Sequence, residues 1–230
     1  MSNAAYTNRY KQRVDECTPL FISDNLKGDE EHSLSIGYSV CVTMYAGKVG
    51  EWNLQGGECR LVNSNGEYIL EWRSINTYGN FYSVITHGNG KEYLIFTQDL
   101  YGYSVFDFSS RQVMHFFPES SLNGEETFIW TSVNYSPETS VLAVSGCYWA
   151  CPYSTQLFTF ENPMSKHQKY LDLRECFGCN YDIYCDVDFE KWENGDLHIS
   201  RFVNETETSE KIVIKQDEYL FWLNDKGNEL

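Results

Sequence analysis

Short runs rich in Tyr, Val and Phe recur along the chain, and in the run 182–190 apolar and polar residues alternate with a period of two. Tyr38-Ser39-Val40-Cys41-Val42, Tyr82-Ser83-Val84-Ile85, Thr131-Ser132-Val133-Asn134-Tyr135 and Cys185-Asp186-Val187-Asp188-Phe189 each open a similar stretch. The aligned valines Val40, Val84, Val133 and Val187 stand 44, 49 and 54 residues apart. A period of two marks strands with one face turned inward, and the return of similar runs at such spacing marks a structural repeat. Each opening strand runs into a turn: Ala46-Gly47-Lys48, His87-Gly88-Asn89-Gly90, Ser136-Pro137-Glu138-Thr139 and Glu193-Asn194-Gly195-Asp196. Gly and Asn supply the positive φ that tight turns need, and Pro presets a turn's first corner.

The copies continue alike. Second strands are expected over 92–98, 141–147 and 197–203, third strands over 103–108, 155–160 and 210–215, and fourth strands over 112–117, 168–173 and 219–223. The first copy closes on a hairpin of 59–62 and 68–72 around Asn63-Ser64-Asn65-Gly66. Four short strands per copy, joined by tight turns, is the composition of a propeller blade, and a blade must pack against its neighbours to bury its faces. The expected fold is all-β, a small β-propeller-like array of about four four-stranded blades near 34–72, 81–117, 127–173 and 182–223. One domain then spans 34–223, with 1–33 as an N-terminal extension available to close the array and 224–230 as a tail. The segment Tyr6 to Val14 suits either a short amphipathic helix or an added strand.

Residues 133–146, Val-Asn-Tyr-Ser-Pro-Glu-Thr-Ser-Val-Leu-Ala-Val-Ser-Gly, resemble the strand-turn-strand of WD40-like and TolB-like β-propellers. Glu138-Thr139 stand where Asp-Gly is usual, and the Trp-Asp and Gly-His signatures of WD40 blades are absent. The resemblance implies a propeller, a fold that hosts enzymes, inhibitors and scaffolds alike.

Composition narrows the partners. Aromatics make up 16% of the chain, ample material for a core of strands. There are 33 Asp and Glu against 17 Lys and Arg, a net charge of −16. That field repels a phosphate backbone, so no nucleic acid is expected, while a basic protein would be steered in. No run of about 20 apolar residues is present, so no membrane partner is expected. The polar N-terminus lacks the apolar core of a signal peptide, which predicts a cytoplasmic chain with its eight cysteines mostly as buried thiols.

Three groups of residues have the types and spacing to carry chemistry. Cys147-x3-Cys151 and Cys176-x2-Cys179 are the two close pairs that a structural zinc needs, although three intervening residues is a loose spacing and buried Cys is an ordinary core residue. No metal is favoured and no cofactor is expected. Asp186, Asp188 and Glu190 alternate on one face of a strand, a set of oxygen ligands for a hard cation or simply a solvated, ion-paired face. Tyr148, Trp149 and Tyr153 crowd the connection after a second strand, where they either anchor a partner or pack between blades. No nucleophile elbow, phosphate loop or zinc-protease motif occurs, so no catalytic residue is assigned.

Three functions are compatible with these residues. A protein-binding or scaffold propeller comes first, because repeats are legible and chemistry is not. An acidic inhibitor or immunity-type protein that neutralises a basic partner is the second. A metal-dependent binder or hydrolase built on the acidic strand or the cysteines is the third.

Overall fold

In the computed structural model, residues 3–79, 81–125, 127–148, 153–166, 168–179, 185–203 and 206–229 are described. Strands hold 55% of the chain and helices 16%, so the protein is mostly β. The elements form two compact units, one of Asn3–Ile85 and Glu92–Pro118, the other containing Thr86–Lys91 and Glu119–Leu230.

The first unit begins with helix α1 (Asn8–Cys17), whose first turn is closed by the Thr7 hydroxyl accepting from the Tyr10 amide at 3.2 Å. The sequence left this segment open between helix and strand. Strands β1 (Leu26–Ser33), β2 (Tyr38–Val49), β3 (Trp52–Asn63) and β4 (Tyr68–Ile75) then pair in order as one antiparallel sheet. Two expectations are corrected here. Ala46-Gly47-Lys48 lies inside β2 rather than turning, and the chain reverses only at Gly50-Glu51, with Gly50 at φ 60°. Val40 therefore sits in the second strand of its sheet, because the polar segment Leu26–Ser33 adds a strand before it. The turn at residues 63–66 forms as read. Asn63 Oδ1 accepts from the amides of Asn65 and Glu67 at 3.0 Å each, and Gly66 takes φ 78°.

Strands β5 (Tyr82–Thr86), β6 (Glu92–Phe96), β7 (Tyr103–Asp107) and β8 (Gln112–Phe116) make a second four-stranded meander. Val40, Val42, Cys59, Leu61 and Trp72 of the first sheet share one buried cluster with Leu94, Phe96 and Phe106 of the second. Leu94, Phe96 and Phe106 are alternate residues on the face turned to the first sheet, while Tyr93, Ile95 and Val105 are buried on the opposite face, so the second sheet is covered on both sides.

The second unit starts with the short helix α2 (Glu119–Leu122). Strands β9 (Phe128–Ser136), β10 (Val141–Tyr148), β11 (Tyr153–Thr159) and β12 (Lys169–Asp172) pair consecutively. Helix α3 (Leu173–Cys176) follows, then a three-stranded sheet of β13 (Cys185–Glu193), β14 (Asp196–Val203) and β15 (Thr208–Ile214). Asn194 and Gly195 at φ 53° and 79° make the tight β13–β14 turn that the sequence predicts.

The expected fourth strand at 219–223 is instead part of helix α4 (Gln216–Asp225), after which β16 (Asn228–Glu229) pairs with β12. Asp217 and Glu218 lie at the positive end of α4's dipole. Tyr219 and Leu223, four residues apart, turn into the core together. The Tyr219 hydroxyl also donates to the Gly195 carbonyl at 2.7 Å. Val141, Ala143, Leu157 and Leu171 complete this core with Cys185, Val187, Leu197 and Ile199. Of the four aligned valines, Val40 and Val187 are fully buried, whereas Val84 and Val133 are half-buried.

Candidate functional site

The sequence-predicted aromatics and carboxylates meet at one end of the second unit. Tyr148 is the last residue of β10 and Tyr153 the first of β11, so the two stand at the stems of the connection between those strands. Both stems are tied down. The Tyr148 hydroxyl donates to Asp172 Oδ2 at 2.7 Å and accepts from Gln156 Nε2 at 3.0 Å. Its ring packs edge-on against Phe128 with centroids 5.1 Å apart. Burial, and then the nearby Asp172 charge, push the Tyr148 phenol far above its ordinary value. This tyrosine is a structural tie rather than a free anchor.

Asp172 is the hub of that end. It is 3% exposed, and besides Tyr148 it accepts from the Ser154 hydroxyl at 2.5 Å and the Arg174 amide at 3.0 Å. The last bond makes Asp172 the N-cap of α3. A buried carboxylate with these donors is satisfied without any cation.

Tyr153 behaves differently. Its backbone N–H donates to Asp186 Oδ1 at 2.9 Å, while the residue stays 49% exposed. The aromatic set and the acidic strand are therefore linked through Asp186. Next along β13, Asp188 is exposed, and partial shielding from solvent, followed by the Asp186 charge, raises its carboxyl pKa. Glu190 leaves the group: the β13–β14 register shifts between Phe189 and Lys191, and Glu190 pairs with Lys211 Nζ at 2.9 Å. After that bulge the inward phase changes, so Trp192 rather than an odd-numbered residue packs on the core and donates to the Asn134 carbonyl at 3.1 Å.

Two cysteines depart from the thiols expected, while Cys17, Cys41, Cys59, Cys147 and Cys176 are free. Cys179 and Cys185 form a disulfide with their Cα atoms 6.0 Å apart, so Cys179 has no thiolate to offer a metal in this form. Cys147 is buried at the end of β10. Cys176 is a half-buried thiol pushed up to about 11 by burial. Trp149 and Cys151 lie outside the described residues. Among the described residues, no three His, Cys, Asp or Glu side chains cluster as metal ligands, and no helix is long and apolar enough to cross a membrane.

Sequence reasoning missed the hub, Asp172, and its hydroxyl donor Ser154. It also missed a second buried carboxylate, in the first unit. Asp99 is 0% exposed, and Arg13 Nε of α1 donates to its Oδ2 at 3.1 Å. Burial raises the Asp99 carboxyl pKa, and Arg13 opposes that rise.

No protein-family model and no solved structure matches this chain. It is similar to Uncharacterized protein R762 of Acanthamoeba polyphaga mimivirus, 26% identical over 197 residues that cover 79% of this chain and 74% of that protein.

Proposed function

We propose that this chain is a protein-binding domain for a basic partner, its four meanders being propeller-like blades akin to WD40-like or TolB-like repeats. The observation that carries the reading is Tyr153, an exposed ring on an anchored stem beside the carboxylates Asp186 and Asp188. A tyrosine held by its own backbone loses little entropy on binding, and such rings dominate interface energetics. The neighbouring carboxylates, within a chain of net charge −16, steer a basic surface toward it. Asp99, Asp107 and Asp172, the buried carboxylates among the described residues, all have donors within the chain, which turns attention to the surface features.

Affinity capture tests this. Immobilised wild type, Tyr153→Ala and Tyr68→Ala are exposed to the same cell lysate, Tyr68 being an equally accessible ring in the first unit, 61% exposed. The reading expects a basic protein held by wild type and Tyr68→Ala and lost by Tyr153→Ala. An identical set of captured proteins on all three would reject it.

A further inference from the structure

A different surface, in the first unit, has the features of a strand-addition site. Strands β2 and β3 outrun their neighbours. Pairing with β1 ends at Leu26 opposite Tyr45, and pairing with β4 ends at Ile75 opposite Gly56. Beyond those points Ala46–Val49 and Trp52–Gln55 have no strand paired to them but each other among the described residues; Asn25 packs against Gly47 of β2, and the β3 edge from Trp52 is the one without a strand beside it. Open edges are templates for another strand, and proteins usually cover or charge them. Lys48 charges the β2 side of this two-stranded ribbon, whereas the β3 side begins at Trp52, which is 75% exposed.

A cavity of about 660 Å³ lies along the β3 edge. Its walls include Trp52, Asn53 and Leu54 of the ribbon, Asn76 just after β4, and Arg13 and Glu16 of α1. Asn76 takes φ 60°, which turns the chain away where β4 would otherwise continue. The cavity thus occupies the track of a missing strand, bounded on its far side by a helix.

Arg13 supplies the chemistry. Its Nε is engaged by buried Asp99 at 3.1 Å and its plane lies over the Phe117 ring at 5.7 Å, which fixes the guanidinium. Its terminal amino groups have no hydrogen-bond partner among the described residues, and its side chain is 30% exposed at the cavity wall. A fixed planar guanidinium whose two terminal nitrogens are unused is built to take a carboxylate end-on. We propose that an extended segment of a partner protein adds to β3 along Trp52–Gln55, with an Asp or Glu carboxylate on Arg13 and an apolar side chain against Trp52. Main-chain hydrogen bonds then supply affinity, and the indole and the guanidinium supply selectivity.

The net charge of −16 repels such an acidic segment over distance. Salt should therefore speed this association as screening shortens, the reverse of what a basic partner would show.

The test pans a displayed random peptide library on the full chain and synthesises the most enriched peptide. The expected outcome is β-prone sequences carrying Asp or Glu next to an apolar residue, with binding that weakens at least ~10-fold on Trp52→Ala. Arg13→Lys, which keeps the charge and the Asp99 pair but loses the planar fork, should weaken it several-fold. Trp52 is exposed enough that its variant should melt like wild type, and Tyr153→Ala should leave the peptide bound. Amide exchange should slow at Asn53–Gln55 when peptide is present. No enrichment, enrichment of neutral or basic peptides, or binding unchanged in both Trp52→Ala and Arg13→Lys would overturn the proposal.

Discussion

Two buried carboxylates, Asp99 in the first unit and Asp172 in the second, lie near the candidate surfaces and are satisfied by different chemistry. Asp99 in the first unit has one side-chain donor, the Arg13 guanidinium, beside weaker backbone donation from Tyr101 at 3.4 Å and from Leu100. Asp172 in the second unit has no cation and shares its lone pairs among the Tyr148 and Ser154 hydroxyls and the Arg174 amide. A charge held by one long side chain fails as a unit when that side chain is cut. A charge held by several short donors loses them one at a time. The first arrangement also presents unused guanidinium donors to a cavity, whereas the second turns every donor inward and leaves only Tyr153 and its neighbouring carboxylates outside.

The largest expected effect follows from that contrast. Arg13→Ala should destabilise the chain by about 3 kcal/mol, because it strands a buried charge. The effect should depend on pH. The folded-state pKa of Asp99 is raised, so as pH rises from the ordinary Asp value of ~3.9 the unfolded chain ionises first and stability falls until the folded carboxyl ionises too. Removing Arg13 raises the folded pKa further and deepens that loss. Urea denaturation should show the gap between variant and wild type shrinking as pH falls toward ~3.9. A pH-independent gap would mean that Arg13 acts by packing alone.

The disulfide sharpens the second side of the comparison. Closing the short loop between Cys179 and Cys185 should contribute about 2 kcal/mol by restricting the unfolded chain. Cys179→Ser, at the half-buried end of the bridge, should lose about that amount by chemical denaturation, and peptide mapping without reductant should recover the two cysteines linked. Tyr148→Phe should cost only about 1 kcal/mol, since Asp172 keeps two donors. A loss of 3 kcal/mol or more would show the second carboxylate to be as dependent on one partner as the first.

Much of the strand content was legible because period-two alternation and Asn-Gly turns act locally. The turns at 63–66 and 194–195 need only the positive φ of their own residues. Strand β1 was not legible: Leu26–Ser33 is an exposed edge with no apolar face, so hydrophobic periodicity is silent on it. Residues 219–223 form an apolar run too short for its period to be read. Tyr219 and Leu223 chose the helix because the core lies beneath one of its faces. At the candidate site, Tyr148 and Tyr153 read as equivalent aromatics, and only the position of Asp172 separates the tie from the exposed ring. Asp172 itself looks like a polar residue at a strand end, and nothing in its neighbours announces that Ser154 will reach it. Val133 and Val187 aligned in the repeat but not in burial. Val187→Ala should therefore cost about 2 kcal/mol and Val133→Ala closer to 1.

In the proposed function, the exposed Tyr153 ring beside carboxylates on the second unit binds a basic partner. Surface-immobilised kinetics with the captured partner test it most directly. Tyr153→Ala should raise the dissociation rate by ~30-fold, equivalent to about 2 kcal/mol, with little change in association. Asp188→Asn should slow association at low salt and match wild type once the screening length falls to ~3 Å near 1 M. A correctly folded Tyr153→Ala variant that dissociates at the wild-type rate would contradict the account.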